Sequence, residues 1–435
     1  MFESNLTPQT LDIIKASLPA IREKGVAIVS TMYKNMFEAY PNIKSYFNQA
    51  NQSFGEDKTR GSQIEAFTNQ SFAVNPKVGS QAVSLTQAIF SYAENIGKPI
   101  DIGPAVLHIA HKHASLHILP EHYPIVGKYL IGAMREILGS EVATDEVLSA
   151  WGEGYNFLAN ILVMYENKLR ADSVAKTGGW EGFRKFVVEK KVKESEEVTS
   201  FYLKPEDGGP IPPYDAGQFT CFRLDIPGEG LCYRSYTLST ASGKGHFRVS
   251  MKREVGVRRY PHGVSSNYFH DHIKVGDVLD VAPPYGELTL VDTNRPLVFI
   301  AGGIGVTAMF SMAQSAVESK TPQDIYFIQC MRNRRLHPLA REVGKLARSS
   351  PRIKLHTFYS QPEPTDLYGE DYDTEGHLTL KELKELVPTP ECEFYFTGPV
   401  KLMRDIRIGL RDWGVPPERI HYQCFGPMAV EIEAD

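Results

Sequence analysis

The spacing of apolar positions divides the chain into three textures. Residues 1–170 carry apolar side chains at three- and four-residue steps, as in "LDIIKASLPAIREKGVAIVSTMYKNMFEAY" and "LSAWGEGYNFLANILVMYENKLR". That period predicts amphipathic helices, with Thr7 as N-cap and Pro8 in the first turn of the earliest. A polar, glycine-containing stretch, "ADSVAKTGGWEGF", reads as a linker over residues 171–182. Over residues 183–292 the pattern shortens to alternating runs, "KFVVEKKVKES", "VTSFYLKP", "FTCFRLDI", "HFRVSMKRE" and "DVLDVAPP", punctuated by turn residues. This texture predicts a small antiparallel β-barrel. Over residues 293–435 buried runs, "PLVFIA", "DIYFIQC", "RIKLHTFY" and "EFYFTG", alternate with helical stretches, the mark of a parallel α/β sheet. The expected fold is therefore multidomain: all-α, then antiparallel barrel, then an α/β nucleotide-binding domain. There is no internal repeat or low-complexity tract.

Bulk properties narrow the partners. The 435 residues carry a net charge of −5, with 42% apolar and 23% charged residues, ordinary values for a globular protein. Nothing in that balance calls for nucleic acid or an anionic membrane. Five scattered cysteines (Cys221, Cys232, Cys330, Cys392, Cys424) show no C-x-x-C and fit reduced thiols in a cytoplasmic protein. The N-terminus, with Glu3 and Asp12 and no arginine before Arg22, reads as neither a secretory signal nor a transit peptide. The uncharged run "PLVFIAGGIGVTAMFSMA" is long enough to suggest a membrane span. Its glycine cluster instead implies a strand, a tight turn and a second element of a protein without membrane insertion.

That same run carries chemistry. Gly303-x-Gly305-x-x-Ala308, with Ile304, Val306 and Thr307 between, matches the phosphate turn of dinucleotide sites. Small residues there let backbone N–H groups approach a diphosphate at a helix N-terminus. The turn equally suits plain strand–helix packing. "YFTGP" places Gly398 and Pro399 at another strand's C-terminal end, where open sheets bind ligands. After "DIYFIQC", where an NAD site usually has a carboxylate for the ribose, the chain has "MRNRR". Arg332, Arg334 and Arg335 either accept a 2′-phosphate or form a solvated basic loop, and both readings stand, so the cofactor is NADH or NADPH.

Inside the barrel pattern lies "YRSYTLS". Arg234 can pair with a pyrophosphate, Tyr236 can stack on an aromatic ring, and Thr237, beside Ser235, can hydrogen-bond a ring heteroatom. Followed by a nicotinamide-type α/β segment, this strongly resembles the ferredoxin–NADP⁺ reductase family. The resemblance implies a barrel for FAD and an α/β domain that delivers hydride. It places Gly263, Val264, Ser265 and Ser266 at a second phosphate turn, adds Lys252 and Phe219 to the flavin residues, and sets Phe425 of "CFGP" (Cys424, Phe425, Gly426, Pro427) over the flavin. Nicotinamide yields two electrons as hydride and a metal centre takes one at a time. A flavin divides the pair, so a helical domain in front of such a reductase asks for a one-electron acceptor.

Five of the thirteen histidines fall in "HIAHKHASLHILPEHY". A zinc site needs three or four convergent ligands; His113 and His117, four apart, could share a helical face, but no acidic or cysteine partner sits at metal-binding spacing, and His108, His111 and His113 point in different directions. Four of the five read as surface or satisfied polar residues. The fifth sits in a globin-like context: Phe47 follows the Pro41 turn, and His113 lies near the end of a helix stopped by Pro120, the globin position for the proximal ligand of haem iron. The whole chain, residues 4 to 430, resembles a flavohaemoglobin: globin with haem b, FAD barrel and NAD(P)H domain. That resemblance puts Tyr33 and Gln63 on the distal side, with residues 53–60 as an insertion before Gln63, and pairs Tyr123 and Glu166 around His113. A hydrogen bond from the proximal imidazole to such acceptors makes it a stronger donor. Three positions depart from the family: Gln423 stands for a glutamate, removing a carboxylate near the haem–flavin gap, Ala308 for a proline, and Thr397 for a cysteine.

The implied activity is nitric oxide dioxygenase, with NO and O₂ as substrates, nitrate as product, and two turnovers per NAD(P)H from the electron count. A monomer without obligate protein partner is expected. The rival readings are an O₂-binding or sensing globin kept ferrous by its reductase, a flavin reductase of external acceptors, and a peroxide-using or lipid-linked haem role.

Overall fold

A computed structural model describes residues 6–47, 80–96, 103–256, 262–319 and 322–425. The chain divides into two compact units, one mainly of residues before Val174 and the other mainly of residues from Val174 on.

The first unit is helical. Helix α1 (Pro8–Ala39) starts at Thr7, whose hydroxyl accepts from Thr10 N at 3.1 Å, and ends before Pro41, which opens a short 3-10 turn (Pro41–Tyr46). The cap satisfies one of the N–H groups a helix start leaves open. Four helices follow among the described residues: α2 (Ser80–Asn95), α3 (Gly103–Leu116), α4 (His122–Val142) and α5 (Asp145–Ala175). The buried face of α1, Ile14, Ile21, Ile28, Met32 and Met36, keeps the helical spacing seen in the sequence and meets α2, α4 and α5 in one core. Gly25 is required there, because an added Cβ would collide with Phe90 and Thr86 of α2. Trp151 of α5 ties back to α1 by donating to Ser17 Oγ at 2.9 Å.

The second unit holds two six-stranded sheets. Strands β1 (Arg184–Lys193), β2 (Val198–Pro205), β3 (Phe219–Ile226), β4 (Gly230–Thr237), β5 (Phe247–Lys252) and β6 (Val278–Val281) form a sheet of order β4-β3-β6-β1-β2-β5. β1 bulges between Val188 and Lys190, which adds local twist. Among the described residues no ladder joins the edge strands β4 and β5; an isolated Leu238–Val249 bridge just beyond β4 links them, so the expected barrel curls without a continuous closing ladder. Helix α6 (Val264–Asp271) lies between β5 and β6 in the chain.

The second sheet is parallel, in the order β10-β9-β8-β7-β11-β12: β7 (Leu297–Gly302), β8 (Ile325–Met331), β9 (Ile353–Tyr359), β10 (Thr374–Glu375), β11 (Glu393–Thr397) and β12 (Ile420–Tyr422). Four of them, β7, β8, β9 and β11, run nearly uncharged because both faces are covered. On one face α7 (Val306–Glu318) and α8 (Ala340–Ser349) bury Met309, Met312 and Val343; on the other α9 (Leu380–Leu386) and α10 (Val400–Asp412) bury Leu383, Met403 and Leu410. Strand order reverses between β7 and β11, the crevice where open α/β sheets bind ligands. No described helix is long and apolar enough to cross a membrane.

Candidate functional sites

His113 stands in the last turn of α3, just before the chain turns at His117 (φ 56°) and reaches Pro120. Its Nδ1 lies 2.9 Å from both Tyr123 Oη on α4 and Glu166 Oε1 on α5. The Tyr123 hydroxyl in turn donates to Glu166 Oε1. Glu166 is wholly buried; its other oxygen has no hydrogen bond and faces Arg170, itself held by Ile118 O, at 4.0 Å. Tyr155 donates to Tyr123 O at 2.7 Å and fixes that residue's backbone. Burial, then the adjacent Glu166 charge, pushes the Tyr123 phenol far above its ordinary value, so it remains a donor.

Both hydrogen bonds of His113 fall on Nδ1, which leaves Nε2 as the nitrogen that could bind a metal. Among the described residues no group of three or more His, Cys, Asp or Glu could hold a metal ion. A single imidazole with a buried acceptor behind it would suit an iron whose remaining ligands a porphyrin supplies. His122 serves locally, its Nδ1 accepting from Leu119 N at 3.0 Å.

On α1, Tyr33 is 6% exposed and stacks on Phe37, with ring centroids 5.5 Å apart, while Phe47 meets its edge at 5.3 Å. Burial raises its phenol well above the usual range, so it stays protonated. Gln63 lies outside the described residues. Helix α2, which packs on α1, begins at Ser80, so another glutamine, Gln81, occupies its first turn, four residues before Leu85 in the Tyr33 core.

In the antiparallel sheet Arg234, Ser235, Tyr236 and Thr237 end β4; Ser235 is exposed, and Tyr236 presents its ring between Phe222 (5.9 Å) and Phe269 (5.8 Å). Phe219 pairs through its backbone with Tyr285, and Gly286, at φ 135°, lets the chain pass the Phe219 ring. Gly263 caps α6: a Cβ there would lie 2.6 Å from Ser266 Oγ and 2.8 Å from Glu254 Cβ. Ser266 Oγ donates to Gly263 O at 3.2 Å and accepts from Glu254 N at 3.1 Å. Ser265 is buried and Val264 exposed. At the other end of α6 the Lys191 ammonium donates to His270 O at 2.8 Å and Ile273 O at 2.9 Å, placing positive charge where the helix dipole is negative. Lys252 Nζ lies 3.2 Å from Glu254 Oε1.

Gln423 donates to Glu287 Oε1 at 3.3 Å. The carboxylate thought lost at Gln423 therefore has a neighbour of the right chemistry, which the sequence reading missed because 136 residues separate the two. Cys424 is half-buried and Phe425 exposed, while Gly426 and Pro427 lie outside the described residues.

The parallel sheet builds a tight crevice at its switch point. Gly303 takes φ 53°, open to glycine, and Gly305 packs so closely that a Cβ would strike the Thr397 backbone carbonyl. Thr397, fully buried, donates from Oγ1 to Gly305 O at 2.8 Å. A Cβ on Gly302 would lie 3.1 Å from Gly398 Cα and 2.6 Å from Pro399 Cδ, so the ends of β7 and β11 touch backbone to backbone. Ile304 O accepts from Thr307 Oγ1 at 3.0 Å, and Val306 and Ala308 are buried beneath the turn. This is a cradle that side chains would fill and a diphosphate at the start of α7 can use.

Family models match in the same order: a globin over residues 30–162, an oxidoreductase FAD-binding domain over 185–290 and an oxidoreductase NAD-binding domain over 299–407. A flavohemoprotein of Bacillus cereus is 39% identical over 97% of this chain and 98% of its own length, and one of Rhizobium meliloti is 38% identical over 97% and 98%. The chain belongs to the flavohemoprotein family. A flavohemoglobin from Malassezia yamatoensis, solved with bound FAD and heme, covers 97% of the chain at a TM-score of 0.80 and 27% identity. The FAD/NAD-binding part of a nitric oxide dioxygenase from Vibrio cholerae covers 57% at 0.52 and 32%.

This flavohemoprotein thus joins a globin domain for haem to oxidoreductase domains for FAD and NAD. Its basic loop after β8 is fully engaged. Arg332 forks onto both Glu197 oxygens at 2.8 Å, Arg334 pairs with Asp371 at 3.4 Å, and Arg335 pairs with Glu196 and with Glu363.

Proposed function

We propose that this flavohemoprotein is a nitric oxide dioxygenase, converting two NO and two O₂ to two nitrates for each NAD(P)H oxidised. The observation that carries the reading is the His113–Tyr123–Glu166 arrangement. A buried carboxylate behind the imidazole makes it a strong electron donor, the feature that distinguishes oxygen chemistry from simple oxygen storage. Haem supplies the iron that takes O₂, and FAD divides a hydride into single electrons. The chain's own residues do the rest. Tyr123 and Glu166 fix the ring orientation of His113, while Tyr33, held protonated by burial, offers a hydrogen-bond donor on the distal side. The β7 and β11 turns orient the dinucleotide. Partners are the small molecules NO and O₂, with a monomer in the cytoplasm.

An NO electrode in air-saturated buffer tests this directly. Protein loaded with haem and FAD is expected to remove NO on addition of NAD(P)H and to leave two nitrates per dinucleotide. Oxidation of NAD(P)H while NO persists would instead make the protein a reductase of external acceptors.

The distal glutamine is open to its own comparison. Gln63→Leu is expected to speed O₂ dissociation from the ferrous protein several-fold, because the family resemblance places its amide on the distal side. An unchanged dissociation rate would remove Gln63 from that role.

A further inference from the structure

From the sequence, three arginines after β8 leave the choice between NADH and NADPH undecided. We propose that the β1–β2 turn, through Glu196 and Glu197, closes this loop against a 2′-phosphate and makes the protein select a dinucleotide without one. The inference deepens the proposed function, since it rests on the Gly303–Ala308 turn holding the dinucleotide.

In an open sheet of this kind the end of the strand beside the phosphate turn faces the adenosine ribose. That strand is β8, and the residue after its last, Met331, is Arg332. Its planar fork, the geometry that would grip a phosphate, is spent on Glu197, both oxygens at 2.8 Å. Arg335 is held from two sides: Glu363 accepts from its Nε at 3.0 Å, Glu196 pairs with its guanidinium, and Glu196 N donates to its carbonyl at 3.0 Å. Arg334 lies against Asp371 at 3.4 Å and its N–H against Asp366 at 3.3 Å. Four carboxylates thus face three guanidiniums, and a fifth, Asp366, accepts from the Arg334 backbone. The nearest further cation, Lys252, is 3.9 Å from Glu197 and 3.2 Å from Glu254.

Exposed ion pairs are individually weak, and selection here does not require strong ones. A 2′-phosphate carries nearly two negative charges into a loop already acidic in sum. To bind it, Arg332 must release Glu197, which then stands unpaired beside the phosphate. A ribose 2′-hydroxyl is uncharged and meets no such conflict. Discrimination is therefore built from repulsion rather than from an added contact.

The test compares NADH with NADPH in the holoprotein, and ADP-ribose with 2′,5′-ADP as binding probes that need no turnover. The wild type is expected to favour NADH in kcat/KM and to bind 2′,5′-ADP poorly. Glu196→Gln with Glu197→Gln should raise NADPH kcat/KM and tighten 2′,5′-ADP by about tenfold each, and leave NADH and ADP-ribose within about twofold. Added salt should erase much of the difference. Glu197→Asp keeps the charge and should behave as wild type, which separates charge from mere packing; melting curves check that each variant folds. Two results overturn the proposal: a wild type that binds 2′,5′-ADP as well as ADP-ribose, or a double variant with an unchanged cofactor ratio. Failure of ADP-ribose to bind at all overturns the dinucleotide reading of the turn instead, and this proposal with it.

Discussion

His113→Ala is expected to yield a protein that keeps FAD and still oxidises NAD(P)H with ferricyanide, yet consumes no NO. The local structure predicts a clean loss. Tyr123 continues to donate to Glu166 and Tyr155 continues to hold Tyr123 O, so α3, α4 and α5 keep their contacts. Only the imidazole, partly exposed in contrast to the wholly buried Glu166, disappears. Losing a hydrogen-bond partner of a metal ligand typically costs about 10–100-fold. Losing the imidazole itself should therefore cost more than about 1000-fold in NO consumption, whereas Glu166→Gln should fall within that 10–100-fold range. The checks are haem content by absorbance, ferricyanide reductase rate and NO-electrode rate on the same preparation. Added imidazole should partly restore haem absorbance to His113→Ala and leave Glu166→Gln unchanged. If NO loss survives in His113→Ala with the ferricyanide rate intact, the dioxygenase proposal fails and NO is being removed at the flavin.

What the sequence made legible follows from the range of the interactions. Helical period in α1, alternation in β2 and β3, and uncharged runs in β7 and β8 are local consequences of which face is buried, so pattern alone located them. The Gly303–Ala308 turn was equally local. His113 was singled out by its place before Pro120, but its partners lie 10 and 53 residues away, and only the family resemblance, not spacing, paired them with it. Glu166 in fact proves wholly buried. Glu197 stands 135 residues from Arg332, and Glu287 stands 136 from Gln423. Such pairs are made by sheet topology, which no window of sequence contains. The same limit applies to barrel closure, where, among the described residues, an isolated bridge just beyond β4 rather than a ladder links the edge strands.

Gly305→Val is expected to abolish electron entry while leaving both prosthetic groups in place. A branched side chain here would strike the Thr397 carbonyl oxygen and carbon, backbone atoms of a fully buried strand end with no freedom to swing aside. The turn itself must move, and Thr397 Oγ1 would lose its acceptor, Gly305 O, as it does. The displacement would pass to the contact of Gly302 with Gly398, which holds the ends of β7 and β11 together at the switch point. Misplacing bound reactants by about 1 Å can cost about 100-fold, so reduction of the flavin by NAD(P)H should slow by at least that factor. Thr397→Val isolates the smaller component. It removes one donor to the buried Gly305 carbonyl, a cost of about 0.5–1.5 kcal/mol to the turn, without the collision. Stopped-flow bleaching of the flavin by NAD(P)H reads both variants, and reduction by dithionite shows that flavin and haem remain competent. The order wild type, then Thr397→Val, then Gly305→Val is the signature of a turn that orients the dinucleotide. Normal bleaching in Gly305→Val would mean that the glycines serve strand–helix packing alone and that hydride arrives elsewhere on the sheet.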